Sequence, residues 1–362
     1  MTYLKNTFLT VSFVLLAAQK TMALEIVWGG YLNAGFAVSD SATLYRDTEI
    51  DDRGSFGDTI FGLNMGADLG EELKLAAQLA THPGGENIEV DWAFASYRLS
   101  DTLNVAVGQL KYPGNLVSEY VDVGYLYPWI RPPQGVYSHG HSQFRTSLTL
   151  RSFRGVRLLY SNLFDSKSLG GIDYDFQFYA GAANENFITH DKLLGALATA
   201  SMGQMRLLLG YNRSNLDVLE NPSAPMNGKY MEMLTVGATA EWSGLVTYGE
   251  FVRSETEDVV MQDTNGGYLT LGYRFNKLLP HMTYSFFDQR SGLGQRTWTL
   301  GLRKELTSAS ALKIEWQRIK PKAASSESVN EIPMLEGLSG LFQSVPLEDK
   351  VDVFSIAVSI LF

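Results

Sequence analysis

The chain closes with VDVFSIAVSILF (Val351–Phe362), in which Phe354, Ile356, Val358, Ile360 and Phe362 share one face and Ser355, Ala357 and Ser359 the other. A period of two is the signature of a β-strand with unlike faces. A soluble domain has little reason to end on an apolar-faced strand with an aromatic last residue. A membrane barrel has one, because its last strand pairs with its first and removes the sheet edge. This stretch predicts an all-β fold whose terminal strand closes a barrel.

The same alternation recurs upstream. Ile172, Tyr174, Phe176 and Phe178 oppose Asp173, Asp175, Gln177 and Tyr179, and Gly267, Leu269, Leu271, Tyr273 and Phe275 oppose Tyr268, Thr270, Gly272 and Arg274. Periodicity alone fits a soluble sandwich with its apolar face inward or a membrane barrel with that face outward. The connections separate the two. Tight turns such as Gly70-Glu71, Gly203 and Ser243-Gly244 follow even-numbered strands, and long stretches such as Ser39–Gly57, Ser214–Lys229 and Pro321–Asp349 follow odd-numbered ones. Strict alternation of short and long connections is expected when every second turn lies on one side of a membrane. Sixteen strands are assigned, the first at Leu24–Val38 and the last at Lys350–Phe362, with Leu103–Lys111, Gly155–Leu163, Lys192–Met202, Gln204–Arg213 and Leu245–Arg253 among them. Trp28, Trp92, Tyr97, Trp242, Tyr273, Trp298 and Trp316 fall near strand ends, as the aromatic girdles of a transmembrane antiparallel barrel require.

One segment competes with that count. Phe144, Thr146, Leu148 and Leu150 alternate with Gln143, Arg145, Ser147, Thr149 and Arg151 as a wall strand would. Counted alone it leaves an odd total, so it is assigned to the end of a long loop; an eighteen-stranded barrel requires another strand besides.

The composition agrees with one large barrel domain. Of 362 residues 45% are hydrophobic and 19% charged, with 34 glycines and no cysteine, which excludes a disordered chain, a disulfide scaffold and any thiolate metal site. Residues 1–23 read as a secretory signal: Lys5, an apolar run over Phe8–Ala18, and Thr21-Met22-Ala23 at the cleavage positions. The domain then covers residues 24–362, starting at Leu24. Removing Lys5 and Lys20 leaves 27 basic against 39 acidic residues, a formal charge of −12 that disfavours nucleic acid as a partner.

The signal, the alternating strands, the terminal Phe362 and the fifth strand VGQLKYP (Val107–Pro113) together resemble the Gram-negative outer-membrane porin superfamily. SEYVDVGYLYPWIRPPQGVYS (Ser118–Ser138) resembles the third loop of porins, which folds into the barrel and narrows it; VGQLKYP is also similar to phosphate-selective and other substrate-preferring porins. The resemblance implies passive, cofactor-free ion and solute transport through the outer membrane. It further implies a homotrimer, export through the periplasm, and Phe362 as the signal read by the outer-membrane assembly machinery. Lipid and lipopolysaccharide are then the surroundings, and small hydrophilic solutes the cargo.

The long connection, residues 112–153, suits a constriction. Tyr120, Tyr125, Tyr127, Trp129 and Tyr137 bring apolar bodies with polar tips, and Pro128, Pro132 and Pro133 stiffen the path. An external flap or a subunit contact is the alternative. Arg131, Arg145 and Arg151 against Glu119 and Asp122 make it positive by one on an acidic chain. Inward parity adds Arg157, Arg206, Arg274, Arg303 and Lys313, and also Asp173, Asp175, Glu241, Glu305 and Glu315. The candidate constriction residues are Lys111, Glu119, Asp122, Arg131, Arg157 and Asp175. Lys111, Arg131 and Arg157 are expected to converge and to give a modest anion preference.

Other function classes find less support. The histidines are His82, His139, His141, His190 and His281, and His139-Gly140-His141-Ser142 is their one cluster, a weak metal spacing with no carboxylate to close it. G-x-S-x-G, P-loop and H-E-x-x-H motifs are absent. No catalytic residue, metal or cofactor is assigned. The acidic run Asp47, Glu49, Asp51 and Asp52 could bind a divalent cation or bridge to lipopolysaccharide, though its spacing is not that of an EF-hand and a solvated loop is the plainer reading. A structural or adhesive barrel with a closed lumen, and a barrel hydrolase, are the alternatives to a porin. A receptor-type transporter would need a plug domain ahead of the first strand.

Overall fold

Outward apolar and inward polar side chains alternate along nearly every strand, and the sheet they form closes on itself. The computed structural model describes residues 26–45, 50–81, 87–138, 148–166, 170–185, 188–219, 224–259, 262–331 and 338–362. The signal segment, His82, His139–Ser142, Arg145, Asp47 and Glu49 lie outside the described residues.

The strands are β1 (Ile26–Ser39), β2 (Ile60–Leu69), β3 (Leu73–Ala80), β4 (Glu89–Arg98), β5 (Leu103–Lys111), β6 (Ser152–Ser166), β7 (Gly170–Glu185), β8 (Ile188–Met202), β9 (Met205–Val218), β10 (Tyr230–Trp242), β11 (Leu245–Thr256), β12 (Thr264–Tyr273), β13 (Leu278–Gln289), β14 (Gly294–Thr307), β15 (Ser310–Lys322) and β16 (Val351–Leu361). Two short helices, α1 (Gln134–Tyr137) and α2 (Ser326–Glu331), lie in connections. Each strand pairs antiparallel with its neighbours in sequence, and β16 pairs with β1 from Tyr31↔Leu361 to Ser39↔Val353, so the barrel is closed with sixteen strands. Leu148–Arg151, the described part of the competing segment, is not a strand.

Turn chemistry sets one end. Ser243 and Gly244 take φ of 49° and 86° between β10 and β11, the two left-handed positions of a hairpin turn whose twist matches that of the strands it joins. At the other end the expectation of strict alternation needs correction. β7 ends at Glu185 and β8 resumes at Ile188, and β13 and β14 are joined by only Arg290–Leu293, so two connections on the long-loop side are short. The wall over β6–β9 extends past the assigned limits for a related reason. At Lys192, with φ of 50°, the β8–β9 register slips between Asp191 and Leu194; this bulge interrupts the alternation while the ladder continues.

The faces divide as a membrane barrel requires. Phe176, Phe178, Leu269 and Leu271 are exposed outward, and Gln177, Tyr179, Tyr268 and Thr270 are buried inside. Trp28, Tyr97, Trp242 and Tyr273 are exposed near the short-turn end and Trp298 toward the other, whereas Trp92 and Trp316 are half-buried.

Candidate functional site

The lumen is built around residues 112–138 and 148–151, between β5 and β6. Gly135 in α1 lies so close to β13 that a Cβ there would stand 2.2 Å from the Phe286 carbonyl oxygen, and a Cβ on Gly266 of β12 would stand 2.2 Å from the Gly135 carbonyl oxygen. Missing side chains on both partners let the loop backbone lie directly on the wall.

Side chains then fix the loop to inward-facing residues around the barrel. Trp129 donates its indole Nε1–H toward Thr270 Oγ1 at 3.1 Å and Thr283 Oγ1 at 2.9 Å. The Leu116 amide and the Tyr137 hydroxyl donate to the two carboxylate oxygens of Glu250, at 3.0 and 2.5 Å. The Ile130 amide donates to Glu315 Oε1 at 2.8 Å, and Lys313 donates to the Gly124 and Trp129 carbonyls. Arg131 forms an ion pair with Asp58 and donates to Gln317 Oε1 at 2.9 Å and Ser355 Oγ at 2.6 Å. Across the lumen Lys111 lies 2.7 Å from both Asp91 and Asp122, and Asn212 donates to the Tyr112 hydroxyl at 2.6 Å. Burial pushes the phenols of Tyr127 and Tyr137 well above their ordinary value, so both stay neutral donors.

Three apolar clusters fill the space around these bonds. Leu110, Tyr112, Phe153, Tyr179 and Met231 form one; Leu116, Trp129, Val136, Leu208 and Tyr268 a second; Tyr45, Ile50, Phe287, Phe342 and Val353 a third. Toward the short-turn end the lumen is wetter. Arg274 donates to Glu241 at 2.8 Å and Glu305 at 3.1 Å with all three about one-third exposed, and Arg157 meets Glu119 at 2.7 Å. Arg303 donates to the Tyr125 and Tyr127 carbonyls at 2.6 and 3.0 Å and lies 4.7 Å from the centre of the Tyr125 ring. Arg206, half-buried and inward, makes no ion pair among the described residues.

The structure therefore brings Lys111 to Asp122 and Arg157 to Glu119. Arg131 is buried beside Asp58, and Asp175 accepts from Thr199 at 3.0 Å, so neither joins those pairs. Sequence reasoning missed Asp58, Asp91 and Glu250, the carboxylates that anchor the loop. For Asp91 and Glu250 a signal exists: each is an acid at an inward position of a wall strand. Asp58 precedes β2 and offers no pattern.

Of the remaining candidates, Asp51 is held by Arg53, which donates to it at 2.8 Å and keeps its carboxyl below the usual carboxylate range. His190 lies 3.0 Å from Ser214 Oγ with both side chains buried in the wall. Among the described residues no three His, Asp or Glu side chains are placed to share a metal ion.

No protein-family sequence profile matches the chain, and no curated protein matches it in sequence. In three dimensions it is similar to the anion-selective porin from Comamonas acidovorans, at 14% identity over 94% of this chain and 100% of that one, with a TM-score of 0.63. It is also similar to the outer membrane protein OmpT of Vibrio cholerae in its trimer form, at 10% identity over 94% and 100% with a TM-score of 0.56. The outer membrane channel DcaP of Acinetobacter baumannii aligns at 10% identity over 95% and 99% with a TM-score of 0.53. The chain has the fold of the Gram-negative outer-membrane porins.

Proposed function

We propose that the protein is a non-enzymatic outer-membrane porin, trimeric like the Vibrio barrel, that passes small hydrophilic solutes down their gradient with a modest preference for anions. One observation carries this reading: a loop inside the barrel is fixed to opposite walls by side-chain bonds, and beneath it lies a lumen of partly exposed, opposed charges. Such a region lets a solute exchange part of its hydration for wall contacts and orients dipolar solutes. Lys111 and Arg131 face carboxylates and serve to hold the loop. The preference then falls to Arg157 and to Arg206, which makes no ion pair among the described residues. Screening over ~8 Å at physiological ionic strength hides the acids of the distant outer loops from this region.

A closed structural barrel is the second reading, and the burial of Trp129 at 1% and Lys313 at 0% exposure inside the barrel favours it. Planar-bilayer recording separates the two. The porin reading expects open channels whose reversal potential in a salt gradient reports anion preference, reduced in Arg206→Ala. Absence of conductance at any voltage from correctly folded protein overturns it.

A further inference from the structure

Of the strand pairs that close the barrel, only β1 with β16 joins residues distant in sequence; Asn33 and Ser359, opposite each other across this seam, are 326 positions apart. Until it forms, both strands are open sheet edges, and a pairing of such separation gains little before the rest of the sheet is in place. Its inner face has few means of holding itself. From Asn33↔Ser359 through Gly35↔Ala357 to Ala37↔Ser355, every inward position is a glycine, an alanine or a short polar side chain, so the two strands bring no bulky packing to each other there.

The loop supplies what the seam lacks. The single turn at Gly124–Leu126 packs on β1 and β16. A Cβ on Gly124 would stand 2.7 Å from Asn33 Oδ1 and 3.1 Å from Ser359 Oγ, so the loop backbone rests on the hydrogen bond that Ser359 donates to Asn33 at 2.6 Å. Asn33 is held in place from its other side, because its Nδ2 donates to the Asp58 carbonyl at 3.0 Å. Asp58 in turn covers Gly35, where a Cβ would stand 2.9 Å from the Asp58 Cβ. The Asp58 carboxylate holds Arg131, which donates to Ser355 Oγ of β16 at 2.6 Å. These contacts close a ring that runs from the loop to β16, from β16 to β1, from β1 to Asp58, and from Asp58 back to the loop.

We propose that residues 124–131 are a clasp on the closing seam, so that seating the loop in the lumen and sealing β1 to β16 form one cooperative unit. Withdrawing the loop leaves the buried Asp58 and Ser355 without Arg131, and parting the strands separates the two supports of Gly124; either costs buried polar partners. Linkage makes the dependence mutual: whatever tightens the seam tightens the loop, and the reverse. The clasp goes beyond the channel reading and holds whether or not the lumen conducts.

Hydrogen exchange of the folded, detergent-solubilised barrel, read segment by segment by mass spectrometry, tests it. Gly124→Val, which drives methyl groups into Asn33 and Ser359, should speed exchange over Tyr31–Ser39 and Val353–Leu361 about tenfold and leave β8 and β9 within about twofold of wild type. Gly124→Ala should give a smaller rise at the same residues, and it carries this arm should the valine variant not fold. Trp129→Phe, which loosens the loop at Thr270 and Thr283 away from the seam, should leave seam exchange unchanged. The reverse direction uses Ala34→Cys with Val358→Cys, directly opposite each other on the lipid face of a chain that has no cysteine. Their disulfide touches no loop residue, yet it should slow exchange of Gly124–Arg131 severalfold relative to the reduced form. A rise confined to the loop in the Gly124 variants overturns the clasp, as does a rise of equal size in every strand or an equal rise at the seam in Trp129→Phe. Loop exchange indifferent to the disulfide overturns it as well.

Discussion

Ion pairs in the two ends of the lumen are made of the same residue types and differ in depth. Toward the long loops Arg131 with Asp58 and Lys111 with Asp91 and Asp122 are buried, each side chain under a tenth exposed. Toward the short turns Arg274, Glu241 and Glu305 are about a third exposed, and Glu119 stands 38% exposed against Arg157. Taking one partner from a buried pair leaves a charge without water or counter-ion, whereas an exposed partner is resolvated. Depth therefore assigns the first set to holding the loop and leaves the second free to act on passing solutes.

The largest test of that division is Arg131→Ala. It strands Asp58 in a buried site and should cost about 3–5 kcal/mol of barrel stability. Thermal or urea unfolding of the detergent-solubilised barrel measures it, and the loosened loop should raise single-channel conductance as well. Removing both charges with Arg131→Met and Asp58→Asn together should recover most of the loss. A single variant that unfolds like the wild type would erase the distinction between the two ends.

A second test concerns closure of the barrel. Phe362 lies beyond β16, its amide donating to the Gly30 carbonyl at 3.1 Å and its carbonyl accepting from the Gly30 amide at 2.8 Å, while its ring stacks near Phe61 at 6.3 Å. The ring is 62% exposed, so within the finished barrel it holds little. Deleting Phe362 should lower the yield of folded barrel in the outer membrane severalfold and leave the conductance of the molecules that do fold unchanged. Normal yield would remove its role as an assembly signal.

The architecture was legible because strand parity repeats in every wall segment: a face of Phe354, Ile356, Val358 and Ile360 can point only to lipid once the sheet closes. Strand limits were less so, since the bulge at Lys192 shifts the alternation and hides the first residues of β8, Ile188–Asp191. Residues of the loop were identified by type, and their partners were not. Arg131 is conspicuous in the sequence, yet that it meets Asp58, 73 positions earlier, follows from how the loop crosses the barrel. Lys111, Arg131 and Arg157 each meet a different carboxylate for the same reason. Charges of the loop can be satisfied by the barrel around it, and here Asp58 just ahead of β2 takes Arg131 while Lys111 of β5, itself paired with Asp91 of β4, takes Asp122.

The smallest expected effect in stability is Arg157→Ala, and it is the one that tests function most directly. Arg157 is 17% exposed and Glu119 38%, a pair that water already screens, so its loss should change unfolding by under ~1 kcal/mol. The charge it removes lies on the inner wall of β6 beside the exposed part of the loop, and the remaining Glu119 then faces the lumen without a counter-ion. The reversal potential in a salt gradient should shift toward cations. Glu119→Gln should shift it the other way, with equally small cost to stability. If both variants keep the wild-type permeability ratio, the pair plays no part in selectivity, and an anion preference would rest on the other cations at that end, Arg206, Arg274 and Arg303.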